Sequence, residues 1–258
     1  VASDPATEVV PKLVNGELDI AAVSTNLAST LYHKTEGGVQ LLALNTLGVL
    51  YILENGDTVH SMDDLAGRTV YATGQGANPE YVLNYLLEEN GLKNVTVEWK
   101  ASDELTAMMV SGQADLCMLP VPAVTAVEMK NPDVRTALDL TEEWNNTTSD
   151  SELTMGCVVV RTAFAEEHPE AVQAFLNEYR ESIDFALNDP EAAAPMLAEF
   201  GITANEQIAL KAIPDCNLTY ITGDEMRDSI QGYYEVLAAA DPTSIGGSIP
   251  DDAFYFIP

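Results

Sequence analysis

An α/β architecture, with parallel-type sheets flanked by helices, is predicted from three observations. First, apolar runs of strand length alternate with stretches of helical periodicity through most of the 258 residues. That alternation implies strands joined by crossover helices. Second, a unit of helix, Gly-x-x-Asp and buried strand occurs twice, around Gly16 and around Gly112. Third, Gly74-Gln75-Gly76 joins a β-prone run to a helical pattern. Glycines at such a junction let backbone N–H groups approach a ligand at the carboxyl edge of a sheet.

The elements follow in order. Residues 5–15 read as a helix turning Val9, Val10, Leu13 and Val14 inward, shortened or bent by Pro11 and closed by Gly16. Residues 18–23, LDIAAV, are a buried strand, and Ser24-Thr25-Asn26 supplies caps for a helix over 27–33. Strands follow at 39–44 and 49–53, the second ending in the turn Glu54-Asn55-Gly56-Asp57. Residues 61–67 form a short capped helical turn. After the run from Thr69 and the glycine loop, Asn78 is read as N-cap and Pro79 as a first-turn residue. Tyr81, Val82, Tyr85, Leu86 and Leu87 share the apolar side of that helix.

Strands at 95–99, 115–119 and 134–138 alternate with helices at 104–110 and 122–129. The polar stretch 141–152, TEEWNNTTSDSE, reads as a loop or hinge, and 153–160 as a continuous apolar strand. Helices are expected at 168–187, 191–199, 206–213 and 223–240, the last with Met226, Ile230, Tyr233, Tyr234 and Leu237 inward. The aromatic tail DDAFYFIP is expected to pack on the body.

Composition limits the function. The net charge is −30, from 41 acidic and 11 basic residues, which argues against nucleic acid and anionic membrane surfaces as partners. The sequence holds no apolar run long enough to span a bilayer. No signal peptide is present, so the chain reads as cytosolic, or as a mature or trimmed form. Cys117, Cys157 and Cys216 fit no zinc spacing, and Cys117 and Cys157 lie in strand-like runs as small hydrophobes. The three His are scattered, and no HExxH motif or serine elbow occurs. No metal or cofactor is expected. The glycine loop lacks both the GxGxxG and the P-loop pattern, so nucleotide binding is not indicated.

The repeated unit carries a further expectation. Ser3 and Ser102 stand 99 positions apart, and Gly16 and Gly112 stand 96 apart. A strand and helix at 69–90 precede the second copy. Their counterparts would fall before residue 1, so the opening strand, glycine-type loop and helix of the first copy are expected to be missing, with part of the binding site.

Four stretches then point to a family: KLVNGELDIAAVSTNLA, MDDLAGRTVYATGQGANPEYVLNYLLEENGL, ELTAMMVSGQADLCMLPVPAV and VVVRTAFAEEHPEAVQAFL. In this order they resemble the substrate-binding proteins of bacterial ABC importers, in particular the nitrate/sulfonate/taurine/thiamine-precursor-binding group. The resemblance implies the two-lobed periplasmic-binding-protein type II fold, with a cleft between lobes that closes by a hinge. It implies a monomeric extracytoplasmic receptor, periplasmic or lipid-anchored at the cell surface, that delivers a small molecule to an ABC permease. Residues 1–48 would form the N-terminal part of lobe one. Residues 49–150 would form lobe two with the crossover. Residues 151–258 would supply the return strand, the C-terminal helices of lobe one and the tail.

By position in that pattern, Ser24, Thr25 and Asn26 would face the cleft from lobe one. Gly74, Gln75, Gly76, Ala77 and Asn78 would face it from lobe two, with Pro120 and Val121 beside them. Thr46 and Gly48 lie where the chain crosses, and Met155 near the return crossing. Each has a plainer role open to it: Ser24 and Asn26 as helix caps, the glycines and Pro120 as turn residues. Trp144 would either stack on an aromatic ligand or pack. None of the 11 basic residues falls in these loops. A dianion would attract an Arg or Lys, so the expected ligand is neutral or singly charged. The competing readings are an enzyme of thiamine-pyrimidine-precursor type, which would need a dense Cys/His cluster, and a ligand-sensing domain of a signalling protein.

Overall fold

The structure is a computed structural model that describes residues 8–148 and 151–257. Two sheets, each flanked by helices, form two lobes. α1 (Val10–Val14), β1 (Ile20–Ser24), α2 (Thr25–Lys34) and β2 (Val39–Leu47) open the first lobe. The chain then crosses into β3 (Leu50–Asn55), β4 (Thr69–Ala72), α3 (Asn78–Glu89), β5 (Thr96–Trp99), α4 (Ser102–Ser111), β6 (Leu116–Pro120), α5 (Ala123–Lys130), β7 (Val134–Asp139) and α6 (Leu140–Thr147). β8 (Thr154–Arg161) returns to the first sheet. It is followed by α7 (Thr162–Glu167), α8 (Pro169–Asn188), α9 (Pro190–Glu199), α10 (Glu206–Ala212), β9 (Leu218–Ile221) and α11 (Gly223–Ala240).

The strand orders are β1-β8-β2-β9 and β5-β4-β6-β3-β7. Both sheets depart from the purely parallel expectation. β4 runs parallel to β5 and β6, as strands joined through α3 and α4 should. β3 is antiparallel to β6 and β7, and β8 is antiparallel to β1 and β2. β3 and β8 enter their sheets straight from the other lobe. Neither is joined by a crossover helix to a strand of its own sheet just before it, so nothing forces it to run with its neighbours.

The repeated unit has a structural counterpart. Gly16 and Gly112 both end a helix in the left-handed region, at φ +73° and +70°, where a side chain would be strained. Arg161 lies over Gly16 and binds Asp19 at 2.6 Å, tying the end of α1 to the return strand. Ser3, in the first copy, falls outside the described residues.

Several expectations need correction. α1 spans only Val10–Val14; it buries Leu13 but leaves Val14 54% exposed. Residues 5–7 of the predicted helix lie outside the described residues. Much of the 141–152 stretch is helix rather than loop. Asp139 caps α6 by accepting from the Thr141 N–H at 2.8 Å, and Leu140 and Trp144, four apart, form a fully buried face. Asn145 and Asn146 turn outward, which disguises the helix in sequence. Trp144 is no exposed loop residue. It is buried between Tyr85 and Tyr233, with ring centroids 5.0 and 5.5 Å away. β9 was not foreseen, being four half-buried residues at a sheet edge. The tail packs as expected: Phe254 is buried, and the Phe256 N–H donates to the Leu41 carbonyl.

One buried ion pair locks lobe two. Glu54 in β3 accepts from the Thr58 and Val59 N–H groups and from Arg135 of β7 at 2.8 Å. Burial alone would raise the Glu54 pKa, but these donors together hold it below the ordinary carboxylate value. A depressed folded-state pKa contributes stability above the unfolded value, and that stability is lost as pH falls through the folded one. Glu54→Gln is therefore expected to cost about 1–3 kcal/mol at neutral pH and to flatten the acid limb of the stability profile. Chemical denaturation from pH 7 into the acid range checks both.

Candidate functional site

The two lobes meet where the N-termini of α2 and α3 approach each other. β1 delivers Ser24, Thr25 and Asn26 to that point, and β4 with the loop 73–77 delivers Asn78. Ala77, in extended conformation, is the N-cap of α3, and Asn78 occupies the first helical position beside Pro79. This corrects the sequence reading and frees the Asn78 side chain for other partners. Asn78 is 1% exposed. Its Nδ2 donates to Thr25 Oγ1 and to the Met155 carbonyl, both at 2.8 Å, and its Oδ1 accepts from the Asn26 N–H at 3.3 Å. Thr25 Oγ1 donates onward to the Thr154 carbonyl at 2.7 Å. The Tyr234 hydroxyl donates to the Thr25 carbonyl at 2.8 Å, and Asn26 Nδ2 to the Ser244 carbonyl at 3.3 Å. One neutral side chain from lobe two thus holds α2 and the return strand together.

Beside this node lies a pocket of about 420 Å³, walled by Ser24, Asn26, Thr30 and Lys34 of lobe one and by Gly76, Ala77 and Tyr81 of lobe two, with Thr243 and Ser244 closing it. The glycine loop is built for close approach. Gly74 has φ +87°, and a Cβ there would sit 2.6 Å from Pro79 Cγ. The Gly76 N–H donates to Glu80 Oε2 at 2.6 Å, so the chain's own carboxylate holds that donor. Burial, followed by the negative charges of Asp241 and Glu80, raises the pKa of the Tyr81 phenol. Two further cavities, of about 350 and 580 Å³, adjoin along α3 and α11 and are lined by Glu80, Glu88, Glu89 and Glu235 among others.

Of the sequence-predicted residues, the structure gathers Ser24, Asn26, Gly76 and Ala77 on the pocket wall and Thr25, Asn78 and Met155 in the node behind it. Gly74 shapes the loop, and Gln75 points to solvent. Pro120 and Val121 stand apart: Pro120 pairs with Leu50 in the sheet, and Val121 is buried in the lobe-two core. Thr46 pairs with Gly156 and Leu218 in the first sheet. Gly48 fits against Thr141, whose Oγ1 would lie 2.1 Å from a Cβ at that position.

No basic residue lies in the predicted loops, but Lys34, at the end of α2, stands on the pocket wall. Sequence reasoning looked for ligand groups in loops and missed the outward face of α2. Asn26, Thr30 and Lys34 recur every four residues on that face, a spacing that could have revealed it. Tyr81, on α3, was missed for the same reason; Thr243 and Ser244 lie in a short turn after α11, distant in sequence from the other wall residues. Cys117 and Cys216 are free thiols whose pKa values burial raises to about 12 and about 11. They are poor nucleophiles for that reason. Among the described residues, no group of three His, Cys, Asp or Glu could hold a metal ion, and no helix is long and apolar enough to cross a membrane.

Comparison with known proteins places this geometry. Residues 5–193 match the family described as NMT1/THI5 like. The fold is similar to that of an ABC transporter protein from Parabacteroides distasonis, at 25% identity over 100% of this chain and 86% of that one, with a TM-score of 0.81. It is also similar to the periplasmic aliphatic sulphonate binding protein SsuA from Escherichia coli (15% identity, 92% and 72% covered, TM-score 0.71). The ligand-binding component of an ABC-type import system from Staphylococcus aureus is a third likeness (13% identity, 97% and 82% covered, TM-score 0.70). At such low identity the last two speak for the fold alone. No curated sequence matches the chain. The two-lobed fold inferred from the sequence motifs is thus the observed one.

The tight fit at the crossing gives a direct test. Gly48→Ala is expected to cost about 1–3 kcal/mol through overpacking, and Thr141→Ala in the same chain should recover part of that loss. Thermal unfolding of the single and double variants measures both effects.

Proposed function

The chain belongs to the NMT1/THI5-like family, and we propose that it is an extracytoplasmic solute receptor that binds one small molecule between its lobes and delivers it to an ABC permease. The observation that carries this reading is the buried, uncharged node of Thr25, Asn78 and the Met155 carbonyl, set against a pocket of about 420 Å³ that both lobes wall. A contact of this kind can open and close without separating ions, and a ligand in the pocket would add to it. The crossings at residues 48/49 and 150/151 are the proposed hinge. They bound lobe one at 1–48 and 151–258 and lobe two at 49–150. The receptor is proposed to act as a monomer, periplasmic or lipid-anchored at the cell surface, with no cofactor.

Lys34 bears on the ligand. It is the one basic residue on this pocket's wall, opposite hydroxyls and backbone amides. A single point charge suits a neutral or singly negative ligand better than a dianion, which would call for a second cation or a bidentate Arg. Catalysis is disfavoured because Cys117, Cys157 and Cys216 do not line the pocket and burial raises the pKa of each thiol.

A thermal-shift screen of pyrimidines, thiamine precursors, alkanesulfonates, nitrate, bicarbonate and amino acids tests this. A true ligand at roughly 1,000 times its Kd adds about 4 kcal/mol of stability, on the order of 10 °C in Tm. The compound should be recovered chemically unchanged. A stabilising compound that is consumed would make the protein an enzyme.

A further inference from the structure

Two hydroxyls beside the Asn78 node have no hydrogen-bond partner among the described residues: Thr154 Oγ1 and the Tyr233 hydroxyl. Both residues are 0% exposed. Thr154 opens β8, and its carbonyl accepts from Thr25 Oγ1. Tyr233 lies on α11 with its ring against Trp144 at 5.5 Å between centroids. Its hydroxyl faces the Thr25 side chain without forming a bond that satisfies it. Thr25, the residue that Asn78 grips from the other lobe, therefore lies next to both orphaned groups.

A buried hydroxyl left unpaired is costly, and Val or Phe would fill the same space without that cost. Thr154 opens the return strand opposite Leu47, and Tyr233 packs on Trp144 of the other lobe, so both border the junction between lobes. Two further hydroxyls are unpaired among the described residues: that of Thr141, packed under Gly48, and that of Ser151, in the segment leading into β8. Of the four, Thr154 and Tyr233 are the two that border Thr25. We infer that the Thr154 and Tyr233 hydroxyls are ligand contacts at the inner end of the cleft, and that the ligand group they bind is uncharged and hydrogen-bonding. This inference rests on the receptor reading.

The uncharged character follows from the surroundings. The other buried polar side chains of the node, Thr25, Asn26, Asn78 and Tyr234, are all neutral. An ion there would lose its hydration without gaining a counter-ion. A carbonyl, amide, hydroxyl or ring nitrogen would pair with hydroxyls that both donate and accept. Any negative charge on the same ligand belongs at the outer wall, near Lys34. Since Asn78 and Tyr234 enclose the node, the contacts form only after the lobes have parted and closed again on the ligand.

The test compares the whole chain with its Thr154→Val and Tyr233→Phe variants. Thermal unfolding is measured alone, with cytosine, thymine and nicotinamide as uncharged hydrogen-bonding probes, and with butanesulfonate as an anion lacking such a group. The expected result has two parts of opposite sign. Without a probe, the variants unfold at the same temperature as the parent chain or a few degrees higher. With an uncharged probe that stabilises the parent, they bind at least tenfold more weakly. Equal affinity in parent and variants would overturn the inference. So would variants less stable by several degrees without a probe, since the hydroxyls would then be paired within the protein. Stabilisation by butanesulfonate alone would overturn the uncharged class while leaving a receptor. A parent chain that no probe stabilises would count against the receptor reading, and against this inference with it.

Discussion

The side chain of Asn78 is the interaction on which the rest of the arrangement depends. Its three hydrogen bonds join the first turn of α3 to the first turn of α2 and to the start of β8. Every partner is neutral, in a chain of net charge −30. Charged partners would make closure sensitive to salt and pH, whereas Asn, Thr and backbone groups do not titrate. Each bond contributes about 0.5–1.5 kcal/mol net. The sum is the few kcal/mol that typically separate two populated conformers. In the proposed receptor, a bridge of that size would hold the closed form without making it irreversible, and a small ligand could tip the balance.

The fold places that side chain by simple means. Ala77 takes the capping position, so Asn78 need not spend its carbonyl oxygen on its own helix. Gly74 lets the loop turn tightly over Pro79, which fixes where the helix begins. On the other side, β1 runs directly into α2, with Ser24 at the junction of the two. The lobes themselves are held separately: Glu54 and Arg135 tie β3 to β7, and Asp19 and Arg161 tie the end of α1 to β8. Ionic pairs thus fix structure within a lobe, and neutral bonds span the gap between lobes. This division would suit the proposed receptor, whose lobes would move while each stays rigid, although fold alone does not determine the ligand.

Much of this was legible in the sequence, for identifiable reasons. Buried strands show as apolar runs, and the left-handed glycines show as Gly-x-x-Asp, so the α/β layers and the repeat could be read directly. Ser24, Asn26, Gly76 and Ala77 were expected at the cleft from their position in the family pattern, and they line the pocket wall. The failures have physical causes too. Strand direction depends on which lobe the chain arrives from, a long-range property invisible in β3 and β8 themselves. α6 was hidden by Asn and Thr, which are weak helix formers; Asn145 and Asn146 face solvent, while Asp139 and Trp144 do the capping and packing. Lys34 was overlooked because a helix face four residues wide in its repeat supplies the wall, not a loop. Asn78 was read as a helix cap and is instead a cross-lobe bridge, since the two look alike until the partner is seen.

Small-angle X-ray scattering of the ligand-free chain and its Asn78→Ala variant tests the central claim most directly. If Asn78 closes the lobes, the parent curve matches the closed structure. The variant keeps its secondary structure by circular dichroism but shows a larger radius of gyration. Superimposable scattering curves from two folded proteins would contradict the claim and return closure to some other contact.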